Sequence, residues 1–174
     1  MKNLYFIFIC SFILSQNVLD GYTLFTPQGG NPSGAETKLV TNNLDDDGLC
    51  ENDCEDIIHV WTHENGPASM PYLIQGNEPG LENTILVYPY RVEDPTMDSG
   101  GVGGGVQLID WNSNILWDFV LANEQYQHHH DIEPMPNGNI LILCWEYKST
   151  AQAIASGRDP SALIDNELWS TYNL

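Results

Sequence analysis

The strongest candidate for chemistry in this sequence is a run of three histidines and an aspartate, His128-His129-His130-Asp131. A histidine can act as an acid, a base, a nucleophile or a metal ligand, because its ordinary pKa lies close to neutral pH. If the run is extended, alternate side chains share a face, so His128 and His130 point to one side and His129 to the other. Asp131, on the side of His129, could orient a histidine by accepting its ring N–H.

The residues alone allow three interpretations of this run. It is a hydrated structural cluster, a metal site with His128 and His130 as ligands beside a carboxylate, or a site that contacts a substrate. Glu133 lies just beyond the run and is either an acid or base or a structural carboxylate, of which we favour the second.

The remaining histidines and cations are weaker candidates. His59 and His63 flank Trp61 in an apolar stretch, and we expect both at the surface. Arg158 precedes an Asp-Pro pair and either anchors a turn through Asp159 or binds an anion.

A glycine-rich stretch at 100–105 is the next motif with a functional interpretation. It has no following Lys-Ser or Lys-Thr and opens a strand where a phosphate-binding loop would open a helix. Close packing of its backbone or a flexible loop explains it better.

An acidic segment carries seven carboxylates within residues 45–56. Oxygen-rich loops with a glycine turn can hold Ca²⁺, which makes Asp45, Asp47 and Asp53 calcium candidates. The spacing is not that of an EF-hand, and a solvated acidic loop is the favoured alternative. We expect no other cofactor.

The first residues read as a targeting signal. Lys2 precedes an apolar run of eleven residues that is too short to span a bilayer comfortably, which predicts a signal peptide over residues 1–15. The alternative is a buried first strand. An exported protein, periplasmic, cell-surface or secreted, can form disulfides, so we expect a Cys50–Cys54 bridge and a buried free thiol at Cys144.

Composition excludes several classes of partner. The chain has 174 residues, 24 acidic against 5 basic, and a net charge of −19. Nucleic-acid phosphates and anionic lipids both need clustered Lys and Arg, so neither is expected, and no membrane contact is expected after signal cleavage. Hydrophobic residues make up 42%, enough to bury a core.

Strands are the elements expected to position these residues. Short apolar runs rich in β-branched and aromatic residues recur between Gly, Pro, Asn and Asp. They predict strands at Tyr22–Phe25, Lys38–Thr41, Ile57–Thr62, Tyr72–Gln75, Thr84–Tyr88, Val106–Trp111, Ile115–Leu121, His130–Met135 and Ile140–Trp145. Turn residues at 112–114 and 136–139 predict two hairpins, and Thr150–Gly157 predicts a short helix.

The chain also resembles itself. Trp61 precedes Ile85 by 24 residues and Trp117 precedes Ile140 by 23, in similar surroundings. A β repeat of this size is typical of propeller blades, each a four-stranded antiparallel sheet. Tyr72–Leu121 then forms one complete blade between two partial ones. We therefore predict an all-β fold, a partial β-propeller of about two blades truncated at the C-terminus.

Four stretches carry a resemblance to a known family: Gly21–Phe25, Gly103–Trp111, His128–Leu141 and Ala153–Pro160. They resemble the arylsulfotransferase (ASST-like) family, and the His-His-Asp hairpin with Pro-Asn-Gly-Asn is the specific one among them. The resemblance implies that residues 21–174 are the N-terminal part of an exported β-propeller of about six blades.

The same resemblance implies an activity. Members of the family move a sulfuryl group from a phenolic sulfate ester to a phenol, without a nucleotide donor, through a transiently sulfated histidine. Here the match makes His129 and His130 the catalytic candidates, with His128, Asp131 and Arg158 as substrate-binding candidates. The expected ligands are an aryl sulfate and a phenol acceptor.

A second hypothesis assigns no catalysis to the chain. It is then a non-catalytic exported β-propeller module that binds a ligand or partner and is stabilised by calcium. Under the first hypothesis the family's nucleophilic histidine belongs to a later blade, so we expect this chain alone to be inactive.

Overall fold

The computed structural model describes residues 21–27, 34–41 and 57–174, which form ten β-strands and one α-helix. The strands are β1 Tyr22–Phe25, β2 Ala35–Thr41, β3 Ile57–His63, β4 Tyr72–Gln75, β5 Thr84–Arg91, β6 Gly104–Ile109, β7 Ile115–Val120, β8 Tyr126–Pro134, β9 Ile140–Ser149 and β10 Glu167–Asn173. The helix α1 spans Thr150–Ala155, and single 3-10 turns lie at Leu81–Asn83 and Pro160–Ala162. The all-β prediction is confirmed.

Three predicted features lie outside the described residues. They are the N-terminal signal peptide, the Cys50–Cys54 bridge and the calcium candidates Asp45, Asp47 and Asp53.

The strands pair into three antiparallel sheets, ordered β1-β2-β3, β4-β5-β6-β7 and β10-β9-β8. The middle sheet has four strands in sequence order and covers the stretch predicted to be one complete unit. The first and third sheets have three strands each among the described residues, and none of the three sheets is closed. The internal repeat fits this order. Trp61 lies on β3, the last strand of the first sheet, and Trp117 lies on β7, the last strand of the second. In the same way β5 and β9 are each the second strand of a sheet in sequence order.

Strand β5 belongs to two hydrophobic cores, one on each face. Leu86 and Tyr88 lie in a buried cluster with Leu39 and Trp61 of the first sheet. Val87, which points to the other face, packs in a second cluster with residues of β6, β8 and β9. The middle sheet is therefore covered on both sides.

Both predicted hairpins are present. β6 and β7 are joined through Ser113, which has a φ of 65°, and β8 and β9 through Gly138, which has a φ of 85°. β5 runs past the expected end at Tyr88, because Pro89 takes part through its carbonyl, which accepts from the Ala68 N–H at 3.0 Å.

The predicted helix is confirmed as α1. Ser149 caps it by accepting from the Gln152 N–H, and the Gln152 side-chain oxygen accepts from the Ser149 N–H. Within the described ranges, no helix is long and apolar enough to cross a membrane.

Candidate functional site

The histidine run lies on β8 at a break in its pairing with β9. His128 pairs with Cys144 and Ile132 with Ile142, so three residues of β8 stand opposite Leu143 alone. The bulge turns at His130, which has a left-handed φ of 57°. Strict alternation of side chains is therefore wrong for this run, and His128 is buried whereas His130 is exposed.

His128 is fully enclosed behind the bulge. Its Nδ1 accepts a hydrogen bond from the Gly104 N–H at 3.0 Å, so a neutral ring carries its proton on Nε2. That Nε2 is buried without a hydrogen-bond partner. Burial, followed by the neighbouring His129, lowers the pKa of His128 to about 4, so the ring is neutral near pH 7.

His129 and His130 form a pair of rings joined through their Nδ1 atoms at 2.7 Å. Two lone pairs cannot face each other at this distance, so one ring donates its proton to the other. His129 is only 4% exposed and stacks on Trp145 with ring centroids 4.1 Å apart. Its position is set by packing, whereas the outer ring of the pair lies in solvent.

Burial distinguishes the two rings. Burial, and then the neighbouring His130, lower the pKa of His129, while the Cys144 backbone acts in the opposite direction. Either ring can be the donor across the Nδ1 contact, depending on the tautomer of each ring. If His130 accepts there, its Nε2 carries the ring proton and can donate to an anion.

Asp131 does not orient a histidine as expected. Its Oδ1 accepts from the Tyr72 hydroxyl at 3.3 Å, from the Ser69 hydroxyl at 3.5 Å and from the Ile132 N–H at 2.9 Å. These contacts connect β8 to the start of β4. Asp131 is exposed beside the histidine pair.

An open groove lies beside Asp131. It has a volume of about 130 Å³ and is lined by Asp131, Ile132, Glu133, Leu141, Leu143 and Asn173. Glu133 is exposed. The groove is acidic and apolar, so on charge alone it repels a sulfate ester.

Three of the four Lys and Arg residues in the described part of the chain are engaged elsewhere, and the fourth, Arg91, is exposed at the end of β5, in register with Gly104. Arg158 donates from Nη2 to the Ala162 carbonyl at 3.1 Å, which anchors the turn after α1. Lys148 pairs with Glu146 at 2.6 Å, and Lys38 pairs with Glu36 at 3.3 Å. The structure therefore does not bring Arg158 into contact with the histidine run.

The expectation that His59 and His63 lie at the surface is wrong for His63. This residue is 4% exposed, accepts or donates at Nε2 with the Thr37 hydroxyl at 2.7 Å, and stacks on Tyr88. It is buried because the first sheet packs against β5, a contact that a local pattern does not reveal. His59 is half-buried and stacks on Trp111.

The metal interpretation of the run is not supported. Among the described residues, no three His, Cys, Asp or Glu side chains are arranged to hold a metal ion. His128 and His130, the ligands considered, differ in burial because of the bulge. Cys144 is a buried free thiol, as predicted.

Sequence reasoning missed the residues that support the site. Tyr72 and Ser69 precede the run by about sixty positions, and the isolated bridge of Val102 with His129 joins it to the glycine-rich stretch. The one local signal for these contacts was the glycine-rich stretch, because glycines allow close packing of the backbone.

Comparisons with models of known protein families, with curated proteins and with solved structures found no match to this chain.

Proposed function

We propose that this chain is part of an exported β-propeller related to the arylsulfotransferases, and that His129 and His130 contribute to its aryl sulfate site. The observation that carries the proposal is the Nδ1–Nδ1 contact of 2.7 Å, which joins a buried neutral histidine to an exposed one. If His130 accepts at Nδ1 in this contact, the exposed ring keeps its proton on Nε2, where it can donate to an oxygen of a sulfate ester.

The sheet arrangement supports the propeller part of the proposal. Successive antiparallel sheets pack face to face in chain order, and the middle one has the four consecutive strands of a blade. In a blade the first strand lies innermost, so β8, which begins the third sheet, would face the central channel with its histidines.

The chemistry assigned to the complete protein has two steps. The S–O bond to the aryl oxygen of the donor breaks as a histidine nitrogen takes the sulfuryl group, and the leaving phenolate takes a proton from a general acid. The acceptor phenol then takes the sulfuryl group from nitrogen and returns its own proton to that acid group. Both transition states place negative charge on the sulfuryl oxygens, where hydrogen-bond donors are most effective.

His130 supplies such a donor in this proposal. Its Nδ1 accepts from His129, so its ring proton lies on Nε2 and is donated to a sulfuryl oxygen. His128 holds the backbone of the bulge through Gly104. The nucleophile is expected from another blade, so binding, and not turnover, is the property to test in this chain.

The test is a titration of the purified chain with 4-nitrophenyl sulfate, followed by the NMR shifts of its histidine rings. We expect His130→Asn to weaken binding about tenfold, the usual cost of one hydrogen bond to a charged group, because asparagine keeps the left-handed φ but has no donor at the position of Nε2. His59→Asn, in the first sheet, is the matched control and should change the affinity less than about twofold. Equal affinity of the wild type for 4-nitrophenol and 4-nitrophenyl sulfate would contradict the proposal.

The second candidate is a non-catalytic propeller module that binds a ligand or partner. It is favoured by three of the four described cations, because Lys38, Lys148 and Arg158 all have partners away from the histidines. Release of nitrophenol from 4-nitrophenyl sulfate and phenol by the chain, abolished by His130→Asn, would argue against it.

A further inference from the structure

The glycine-rich stretch lies alongside the histidine bulge. The His130 N–H donates to the Gly101 carbonyl at 2.7 Å, and the Gly103 N–H donates to the His128 carbonyl at 3.0 Å. Between these bonds Val102 bridges to His129. The two backbones are therefore in register, and each of these glycines faces one of the histidines.

Alternate glycines of the stretch leave room for rings. A Cβ added to Gly101 would lie 2.7 Å from Cδ2 of His130 and still closer to its Cε1 and Nε2. A Cβ on Gly103 would lie 2.6 Å from Nδ1 of His128, and one on Gly105 would lie 2.5 Å from the Tyr90 hydroxyl oxygen. Real Cβ atoms essentially never show contacts below 3.0 Å. Each ring therefore lies in a space that only glycine leaves.

Of the three rings, that of His130 is held by the fewest neighbours. His128 and Tyr90 are buried, whereas His130 is exposed. The His130 ring contacts His129 through Nδ1 and lies beside Gly101. If the ring were displaced from the space beside Gly101, its Nδ1 would move with it and the contact with His129 would lengthen.

We propose that Gly101 is a positioning residue for the histidine pair. Because Gly101 has no side chain, the His130 ring can occupy the space beside it and keep its Nδ1 in contact with Nδ1 of His129. Its importance for aryl sulfate binding rests on the proposed function, but the positioning of the ring does not. A displacement of about 1 Å is enough to disrupt a hydrogen-bonded constellation of this kind.

The chain offers a matched control. Gly101 has a φ of 81° and Gly138 a φ of 85°, so alanine is strained by a similar amount at both positions. Nothing lies within 4 Å of a Cβ added to Gly138, at the tip of the β8–β9 hairpin. Gly101→Ala therefore adds the ring clash to a backbone strain that Gly138→Ala has alone.

The first measurement is the nitrogen NMR spectrum of the histidine rings, which reports the tautomer and the shared Nδ1 proton. We expect Gly101→Ala to abolish the signature of the His129–His130 contact and to weaken 4-nitrophenyl sulfate binding about tenfold. Gly138→Ala should leave both unchanged. An intact signature in Gly101→Ala would overturn the inference. Loss of the signature in a chain that never bound the ester would uphold it while the proposed function fails.

The second measurement is a double-variant cycle of thermal stability, which also covers the case of a poorly folded variant. Gly101→Ala should lower the Tm more in the wild type than in a His130→Ala background, where the ring is gone and only backbone strain remains. If Gly101→Ala does not fold, the double variant should fold again. An equal loss of Tm in both backgrounds would overturn the inference.

Discussion

Three consecutive histidines of β8 differ in chemistry because they differ in surroundings. His128 is fully buried and accepts from Gly104, His129 is buried against Trp145, and His130 lies in solvent. Water stabilises a charged ring, so burial lowers the pKa of His128 and His129. The same rule applies to His63, which is buried on Tyr88.

Burial of neutral histidines predicts acid sensitivity. His63 and His128 have a pKa of about 4 in the folded chain and an ordinary value of 6.5. Between pH 6.5 and pH 4 these histidines bind protons in the unfolded chain but not in the folded chain. Their contribution to the unfolding free energy is therefore fully present above pH 6.5 and is lost as the pH falls toward 4. Each group should cost about 2 kcal/mol of unfolding free energy between pH 7 and pH 5.

Denaturant unfolding of the wild type and of His128→Asn at these two pH values checks this prediction. Asparagine can accept from the Gly104 N–H at the position of Nδ1 but does not titrate. The variant should therefore lose about 2 kcal/mol less between pH 7 and pH 5 than the wild type. An identical pH dependence in the two proteins would contradict the assignment.

At the scale of elements, the hairpin between β6 and β7 shows how far local chemistry determines structure. Asp110 accepts at one oxygen from the Asn112 and Asn114 N–H groups and at the other from the Asn114 side-chain amide. The hydrogen bond from the Asn114 side chain contributes most to lowering the pKa of Asp110, so the carboxylate is charged when it closes the turn.

Replacement of Asp110 should loosen this hairpin. Asp110→Ala leaves two backbone N–H groups without their acceptor and should lower the unfolding free energy by about 1 kcal/mol. Asp110→Asn keeps one acceptor oxygen and should cost less. Chemical denaturation measures both, and an equal loss in the two variants would show that the turn does not depend on the carboxylate oxygens.

The elements also show which features a sequence can predict. The strand at Tyr72–Gln75 and the Asn-Gly turn at Gly138 were predicted correctly, because alternation and turn residues act within a few positions. The bulge at His130 was missed, since its cause is the glycine backbone about thirty residues earlier. His63 was misplaced for a similar reason, because its burial depends on Tyr88 in another sheet.

At the scale of the whole molecule, β5 connects the packing of all three sheets. Leu86 and Val87 are adjacent and fully buried, yet they belong to different clusters on opposite faces. The histidine site depends on the second cluster, because Ile132 and Ile142 hold the end of the β8 bulge in place. Stability of the first sheet and geometry of the site are therefore expected to be coupled through one strand.

This coupling predicts a single unfolding transition. Leu86→Ala opens a cavity in the first cluster and Ile142→Ala one in the second, and each should cost about 3 kcal/mol. Because the middle sheet is shared, each variant should shift the transition seen by tryptophan fluorescence and that seen by circular dichroism by the same amount. Trp61 lies in the first cluster and reports on the first sheet. If Ile142→Ala left the midpoint of the Trp61 fluorescence transition unchanged, the first sheet would unfold independently.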